Sequence, residues 1–261
     1  MPKLAANLTM LFTELPFPER FAAAKKAGFR HVEFLFPYDY PADQVKAWVD
    51  ENQLQVVLFN LPSGSWAAGD RGIAADPRRV DEFRAGVPQA IAYARALGVP
   101  RVNLLAGKAA PGFSAEEHWK TLVANCRFAA EALGEAGINL MVEFINHYDI
   151  PGFFLNRTEQ VLALIDEVGL PNVYLQYDVY HAQREEGNLV PTIRQHLAKI
   201  GHIQIADNPG RHQPGTGEIN YPYLLDELDR LGYSGFVSME YVPSPDTVDS
   251  LGWVREFGYQ L

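Results

Sequence analysis

The feature that most constrains the fold is a regular alternation of short apolar runs with amphipathic helical segments along the whole chain. The apolar runs are typical of buried parallel strands and lie at residues 4–8, 32–35, 54–59, 102–105, 137–144, 173–177, 203–205 and 236–239. Helical patterns lie at residues 18–27, 45–49, 80–97, 114–135, 158–168, 191–197, 222–231 and 248–257. Eight strand–helix units in 261 residues predict an α/β fold, a single-domain (β/α)8 TIM barrel over residues 1–261, rather than an open doubly wound sheet.

The charge balance and the lone cysteine narrow the classes of partner and the cellular setting. The net charge of −10 repels phosphate backbones and anionic membranes, so we expect no nucleic-acid partner and no membrane association. Cys126 cannot form an internal disulfide, the first residues lack the order of a signal peptide, and no apolar run approaches membrane-spanning length. A cytoplasmic location is therefore expected, and homo-oligomerisation is left open.

Four polar residues end or follow consecutive late strands, each one strand–helix unit after the last: Glu143, Asp178, Gln204 and Glu240. In a barrel the carboxyl ends of the strands form one rim, so we expect these side chains to converge. Carboxylate and amide oxygens suit Mg²⁺ or Mn²⁺, whereas a structural zinc site would use thiolate and imidazole. The alternative is that each residue merely follows a strand and faces water.

Several long motifs carry a resemblance to a known family. They are Glu143-Phe-Ile-Asn-His-Tyr-Asp-Ile-Pro-Gly152, Gln176-Tyr-Asp-Val-Tyr-His181, Gly201-His-Ile-Gln-Ile-Ala-Asp-Asn-Pro-Gly210 and Pro214-Gly-Thr-Gly-Glu-Ile-Asn-Tyr221, with shorter matches at residues 6–12, 32–40 and 60–69. Through them the chain resembles the hydroxypyruvate isomerase family of the xylose isomerase-like TIM barrels along essentially its whole length. Two loops depart from the family pattern, at residues 63–66 and 241–243, and both bear on the choice of substrate.

The resemblance implies a metal-assisted aldose–ketose isomerase that interconverts hydroxypyruvate and tartronate semialdehyde through an enediolate. It implies that Glu143 and Glu240 are the acid–base pair. It also implies that these two glutamates, together with Asp178 and Gln204, hold a divalent metal, Mg²⁺ first and Mn²⁺ second. Sequence does not assign either glutamate to a particular carbon.

The substrate, a small hydroxy-oxo acid, is an anion, so a site with three carboxylates needs further basic groups to receive it. The candidates are Lys108 after the fourth strand, His181, Arg211 and, as a weaker choice, Arg71 in the long loop over residues 60–76. Matching residues in related sugar isomerases and epimerases favour His181 and Arg211, and exposure to solvent is the alternative for each arginine or lysine alone. Whether the 60–76 loop is a lid is left open.

Other functions are weighed against this one. The same chemistry on the four-carbon 2-oxo-tetronate is a close competitor, as is a related ketose epimerase with the same site. A nuclease acting on damaged DNA would need a basic groove and a histidine-rich metal site, and a sugar-binding barrel without activity is a third alternative. The pattern Gly215-Thr-Gly217 is better explained as a turn than as a phosphate loop.

Overall fold

Eight parallel strands form a closed barrel in the computed structural model, which describes residues 2–261. The strands β1 to β8 are Lys3–Asn7, His31–Glu33, Gln55–Asn60, Arg101–Leu104, Asn139–Glu143, Val173–Asp178, Ile200–Ile205 and Phe236–Met239. Each strand pairs with the next, and β1 pairs with β8 to close the cylinder. The predicted (β/α)8 barrel is confirmed, because every strand expected from an apolar run is present.

Helices cover the outside of the barrel between successive strands. The helices α1 to α10 are Phe17–Ala27, Ala42–Glu51, Val80–Leu97, Ala115–Glu135, Thr158–Val168, Val179–Glu185, Leu189–His196, Tyr221–Arg230, Thr247–Ser250 and Gly252–Glu256. A capping box begins α4, since Ser114 Oγ accepts from the Glu117 amide and the Glu117 carboxylate accepts from the Ser114 amide. No helix in the described part of the chain is long and apolar enough to cross a membrane.

Two helical predictions need correction. The closing segment predicted as one helix over residues 248–257 is two short helices, α9 and α10, that meet at Leu251 and Gly252. Gly252 has no side chain to pack and disfavours a continuous helix interior, which fits a break at this point. The short helix α6 is absent from the prediction because its seven residues are too few to show a helical period.

The side chains of each strand point alternately to the outside of the barrel, where the helices pack, and to its interior. Apolar side chains facing outward pack against the helices, for example Val32 and Phe34 near α1 and α2, where Phe34 contacts Phe17 and Phe21 in edge-to-face pairs. At the carboxyl ends of the strands the barrel instead buries polar side chains. The barrel therefore places its polar residues together at one end, where sites of this fold lie.

Candidate active site

The four residues predicted from strand ends lie at the carboxyl end of the barrel and are all buried. Glu143 ends β5, Asp178 ends β6, Gln204 is the second-last residue of β7, and Glu240 directly follows β8. Their exposed fractions are 6%, 1%, 0% and 6% in that order. They do not face bulk water, which removes the alternative that each simply follows a strand into solvent.

Glu143 and Asp178 form a compact acidic pair with His181. One ligand atom from each of the three lies within 4.8 Å of the others. His181 Nε2 is 3.5 Å from Asp178 Oδ2 and 4.0 Å from Glu143 Oε1. Asp178 Oδ1 caps α6 by accepting from the amides of Tyr180 and His181, whereas its Oδ2 is buried and accepts no hydrogen bond from residues 2–261. This oxygen without a hydrogen-bond donor lies on the side of Asp178 that faces His181.

The hydrogen bonds of Asn146 fix which nitrogen of His181 carries the proton. Asn146 Oδ1 accepts from the backbone amide of Asp149 at 2.9 Å, so its side-chain NH₂ must point elsewhere. That NH₂ donates to His181 Nδ1 at 2.6 Å. Nδ1 is therefore the acceptor and the proton resides on Nε2, facing Asp178 and Glu143. Burial holds the pKa of His181 well below its ordinary value, with the nearby charges of Arg211 and Arg184 acting in the same direction, so the ring is neutral.

Glu240 lies on the other side of the acidic pair and is linked to it by Arg211. Arg211 Nη2 is 2.7 Å from Glu240 Oε1 and 3.7 Å from Asp178 Oδ2. Glu240 Oε2 accepts from Asn7 Nδ2 at 2.9 Å and also from the amide nitrogen of Gln204. Arg211 has a positive φ of 54°, an uncommon backbone for a residue other than glycine and one that is enriched at functional sites.

Gln204 presents its amide nitrogen, not its oxygen, to Glu240. The orientation follows from a buried network, because Gln204 Nε2 also donates to Glu33 Oε1 at 2.8 Å while Gln204 Oε1 accepts from Gln176 Nε2 at 2.7 Å. His202 Nε2 lies 2.7 Å from the second oxygen of Glu33. A metal-binding role for Gln204 therefore requires the opposite amide orientation.

Burial shifts the pKa of all three rim carboxyls upward. Desolvation, followed by the charge of Asp178, raises the pKa of Glu143 to about 8. Desolvation raises the pKa of Asp178 to about 6 and that of Glu240 well above its ordinary value, and Arg211 opposes both rises. Glu33 differs, because His202 and nearby hydrogen-bond donors outweigh burial and lower its pKa. The rim thus holds buried carboxyl groups whose pKa values are raised, a feature typical of sites that transfer protons.

The donor set at the rim fits a hard divalent cation. Glu143 and Asp178 supply close, buried carboxylate oxygens, and Asp178 Oδ2 has no protein donor among residues 2–261. A cation between them would remove the electrostatic cost that raises their pKa values. His181 is a weaker ligand through Nε2, because that nitrogen carries the proton in the tautomer set by Asn146. This group can therefore hold a metal mainly through its oxygen atoms.

Arg71 and Lys108 are not brought to the rim carboxylates. Both line a separate cavity of about 250 Å³ whose lining includes none of the four strand-end residues. Arg71 donates to the backbone oxygens of Trp66 and Asp70 and stacks over the Trp66 ring at 4.2 Å. Lys108 is exposed. Of the four predicted substrate-binding residues, the structure places only His181 and Arg211 beside the acidic cluster.

Several residues that build the site were missed from the sequence. Asn103 donates to Glu143 Oε2 at 3.0 Å, and Glu33 joins the network beneath Gln204. Glu33 ends β2 just as Glu143 ends β5, so the same strand-end signal could have found it. His202 is fully buried against Glu33. The amides of Gly215 and Gly217 bind the Asp207 carboxylate at 2.9 Å each, which confirms the predicted turn.

Comparisons with known proteins agree with this geometry. Residues 21–257 match the family described as xylose isomerase-like TIM barrel. The chain is 52% identical over 257 residues to a hydroxypyruvate isomerase of Escherichia coli (strain K12), covering 98% of this chain and 100% of the relative. It is 44% identical over 257 residues to a 2-oxo-tetronate isomerase of Cupriavidus necator, covering 98% of this chain and 99% of the relative.

A solved structure resembles the whole barrel. It is the crystal structure of a Brucella melitensis protein named AP endonuclease, family 2, with a TM-score of 0.96, 42% identity and coverage of 100% of both chains. A 3-keto-D-glucoside 4-epimerase of E. coli, at 22% identity and a TM-score of 0.82, covers 98% of this chain and 100% of its own and shares the fold.

Proposed function

The chain belongs to the hydroxypyruvate isomerase family of xylose isomerase-like TIM barrels and is an isomerase, and from that premise we propose that it interconverts hydroxypyruvate and tartronate semialdehyde. The observation that carries the proposal is the continuous chain of contacts from Glu143 through His181, Asp178 and Arg211 to Glu240, in which no step is longer than 4.0 Å. Three carboxyl groups, a neutral imidazole and a guanidinium are therefore linked in one cluster. These groups match the needs of a ketol isomerisation.

The proposed reaction moves one hydrogen between neighbouring carbons without any oxidant. One glutamate removes a proton from C3 of hydroxypyruvate, the C–H electron pair forms the C2–C3 double bond, and the C2 carbonyl oxygen becomes negative. The other glutamate then delivers a proton to C2, while the proton of the C3 hydroxyl passes to the negative C2 oxygen, so that C3 becomes the carbonyl carbon and C2 carries the hydroxyl. We propose Glu143 and Glu240 as this pair, with their roles exchanged in the reverse direction. A positioned carboxyl of this kind contributes roughly 10²–10⁴-fold to the rate.

His181 and the amide donors prepare the site for the developing charge. The Nε2–H of His181 points at the space between Glu143 and Asp178, so it can donate to a substrate oxygen that becomes negative. Asn103 on β4 and Asn7 on β1 hold Glu143 and Glu240 in place from the neighbouring strands. Burial excludes water, which strengthens each of these interactions.

We propose that a divalent cation, Mg²⁺ or alternatively Mn²⁺, completes the site. The residues that would hold it are Glu143, Asp178 and Glu240, together with Gln204 once its amide turns to present Oε1 in place of Nε2. When bound, the cation would act as a Lewis acid that stabilises negative charge on the substrate oxygens. Its positive charge would also favour the ionised forms of the carboxyl groups around it.

The second candidate is the same reaction on 2-oxo-tetronate, because a relative with that name is 44% identical over nearly the whole chain. The higher identity, 52%, to a relative named for hydroxypyruvate favours the three-carbon acid. Measuring kcat/KM for both acids side by side, with Mg²⁺ present, tests the choice. We expect hydroxypyruvate to be preferred at least about tenfold, the effect of roughly one well-made contact. A clear preference for 2-oxo-tetronate would reverse the assignment.

A nuclease is a third class, raised by the name of the similar Brucella melitensis protein. The net charge of −10 opposes binding to a phosphate backbone. The acidic group at the rim contains one histidine, His181, which does not resemble a histidine-rich zinc site. Incision of duplex DNA with a single abasic site, at a rate that exceeds isomerase turnover, would favour the nuclease.

A further inference from the structure

The substrate carboxylate needs a cation that is not already committed to the protein. Arg211 is held by two protein carboxylates, Glu240 at 2.7 Å and Asp178 at 3.7 Å, so its charge already serves the acidic cluster. Lys108 and Arg71 line a different cavity. A site with three acidic residues would repel an anionic substrate unless another positive group stands at its entrance.

Arg184 stands where the loops after three active-site strands meet. It lies on α6, one helical turn after His181, so both side chains project from the same face. Its Nη1 donates to the Tyr180 hydroxyl at 3.2 Å and to the backbone oxygen of Pro209, in the loop after β7, at 3.4 Å. The ring of Tyr148, in the loop after β5, lies 5.0 Å from its guanidinium carbon.

Two guanidinium groups, those of Arg184 and Arg211, lie near the ring of Tyr180. The guanidinium carbon of Arg211 is 5.2 Å from the Tyr180 ring centroid, and that of Arg184 is 5.7 Å from the same centroid. The Tyr180 ring stabilises both cations and keeps them near each other. The positive charge of Arg184 also reaches His181, where it helps to lower the pKa.

The hydrogen-bond donors of Arg184 are not saturated by the protein. Its Nε is buried and has no acceptor among residues 2–261, as is also true of Arg211 Nε, but Arg184 makes only a 3.9 Å contact with Asp149, whereas Arg211 bonds to Glu240 at 2.7 Å. Surface arginines of this chain differ, because Arg78 contacts Asp76 at 2.7 Å and Arg194 contacts Glu227 at 2.6 Å. A buried donor without a partner costs stability unless a ligand satisfies it.

We propose that Arg184 binds the carboxylate of the 2-oxo acid substrate and selects anionic substrates over neutral ketoses, an assignment that rests on the proposed function of the same site. The planar guanidinium matches a carboxylate through two parallel N–H bonds. Arg211 then remains with the rim carboxyls, and Arg184 holds the non-reacting end of the substrate. Because hydroxypyruvate and 2-oxo-tetronate share that carboxylate, Arg184 affects both acids equally and does not measure chain length.

The test replaces Arg184 and compares two ligands that differ only in the carboxylate. Arg184→Met removes the guanidinium and keeps an apolar side chain, whereas Arg184→Lys keeps the positive charge but lacks the two parallel N–H donors. Arg194→Gln is the matched control on the neighbouring helix α7. Steady-state KM and kcat are measured for hydroxypyruvate with Mg²⁺ present. Glycerate, which carries the carboxylate, and glycerol, in which a hydroxymethyl group replaces it, are each titrated by calorimetry.

In Arg184→Met we expect KM for hydroxypyruvate to rise roughly 10- to 100-fold with little change in kcat, the range for losing charge-assisted hydrogen bonds. Glycerate binding weakens by a similar factor, glycerol binding is unchanged, Arg184→Lys is intermediate, and Arg194→Gln resembles the unmodified protein. The inference is overturned if glycerate and glycerol weaken equally, or if glycerate binding does not change. If the unmodified protein fails to isomerise hydroxypyruvate, the proposed function fails, and glycerate titration still decides the role of Arg184 because it needs no turnover.

Discussion

The carboxyl ends of the strands carry different functional side chains in the first half of the barrel, β1 to β4, and in the second half, β5 to β8. Strands β5 to β8 bring the carboxyls of Glu143, Asp178 and Glu240 to the rim, whereas β1 and β4 bring the amides of Asn7 and Asn103. The hydrogen bonds run in one direction, since Asn7 donates to Glu240 and Asn103 donates to Glu143. The first half therefore holds the two reactive glutamates of the second half through neutral amides, and its one carboxyl in the network, Glu33, bonds to Asn7 and Gln204 instead. Changes in the second half should remove the chemistry, and changes in the first half should retune it.

The largest effect is expected from the second half, in Glu143→Gln and Glu240→Gln. Each substitution keeps the shape of the side chain but removes a proton-transfer group, so kcat/KM for hydroxypyruvate should fall by roughly 10²–10⁴-fold. Circular dichroism checks that the fold is kept. Glu116→Gln, the same change at an exposed position on α4, should leave the rate unchanged. Full activity in either rim variant would remove that glutamate from the acid–base pair.

The bond between the halves that matters most for stability is the buried contact of Glu33 with His202. His202→Leu leaves Glu33 in the core without its closest partner, and we expect a loss of about 3 kcal/mol in the free energy of unfolding. Urea titration followed by fluorescence measures the change. The control His147→Leu removes a half-exposed histidine that contacts Glu185 at 2.6 Å, and it should cost less than about 1 kcal/mol. Equal costs would mean that the buried network does not join the halves.

Metal binding should depend on the second half alone. At about 100 times its dissociation constant, Mg²⁺ should stabilise the protein by about 2.7 kcal/mol, seen as a rise in the thermal midpoint that chelation reverses. Asp178→Asn should lose this rise, because Asp178 Oδ2 is a buried oxygen without a donor among residues 2–261. Asp166→Asn, an exposed position on α5 paired with Lys199, should keep it. A rise that survives in Asp178→Asn would place the metal elsewhere.

The smallest effect is expected from the first half, in Asn103→Ala. Asn103 donates to the ionised form of Glu143 and so lowers its pKa, against burial and Asp178, which raise it. Losing the donor should move the pH–rate limb that belongs to Glu143 to higher pH and reduce kcat at neutral pH about tenfold. Asn125→Ala is the control, since Asn125 is equally buried but donates to the Ala74 backbone outside the site. A shift of the limb toward lower pH would contradict the assigned role.

The barrel and the rim residues could be predicted because their signals are local. A buried parallel strand is a run of a few apolar residues, and Glu143 and Asp178 stand at the end of such runs. The orientation of the Gln204 amide could not be predicted. It depends on Gln176, 28 residues away, and on Glu33, 171 residues away, which meet only in the folded barrel.

The positions of the basic residues could not be predicted from local sequence either. Lys108 follows β4 in sequence just as a substrate-binding residue would, yet its loop carries it to a separate cavity. Arg184 carries no sequence signal apart from its spacing from His181, and the contacts that place it at the entrance come from Tyr148 and Pro209 on other loops. Long basic side chains at this end of the barrel take their positions from tertiary contacts with other loops, which local sequence patterns do not encode.

The proposed mechanism assigns removal of the C3 proton and delivery of a proton to C2 to two different glutamates. Isomerisation in D₂O tests this assignment most directly. If one glutamate removes the C3 proton of hydroxypyruvate and the other delivers a proton to C2, the hydrogen at C2 of tartronate semialdehyde comes from an exchangeable carboxyl group. Proton NMR of the product should then show no C2 proton signal, because deuterium occupies that position. Complete retention at C2 of the hydrogen that began on C3 would indicate direct transfer between the carbons and would contradict the roles given to Glu143 and Glu240.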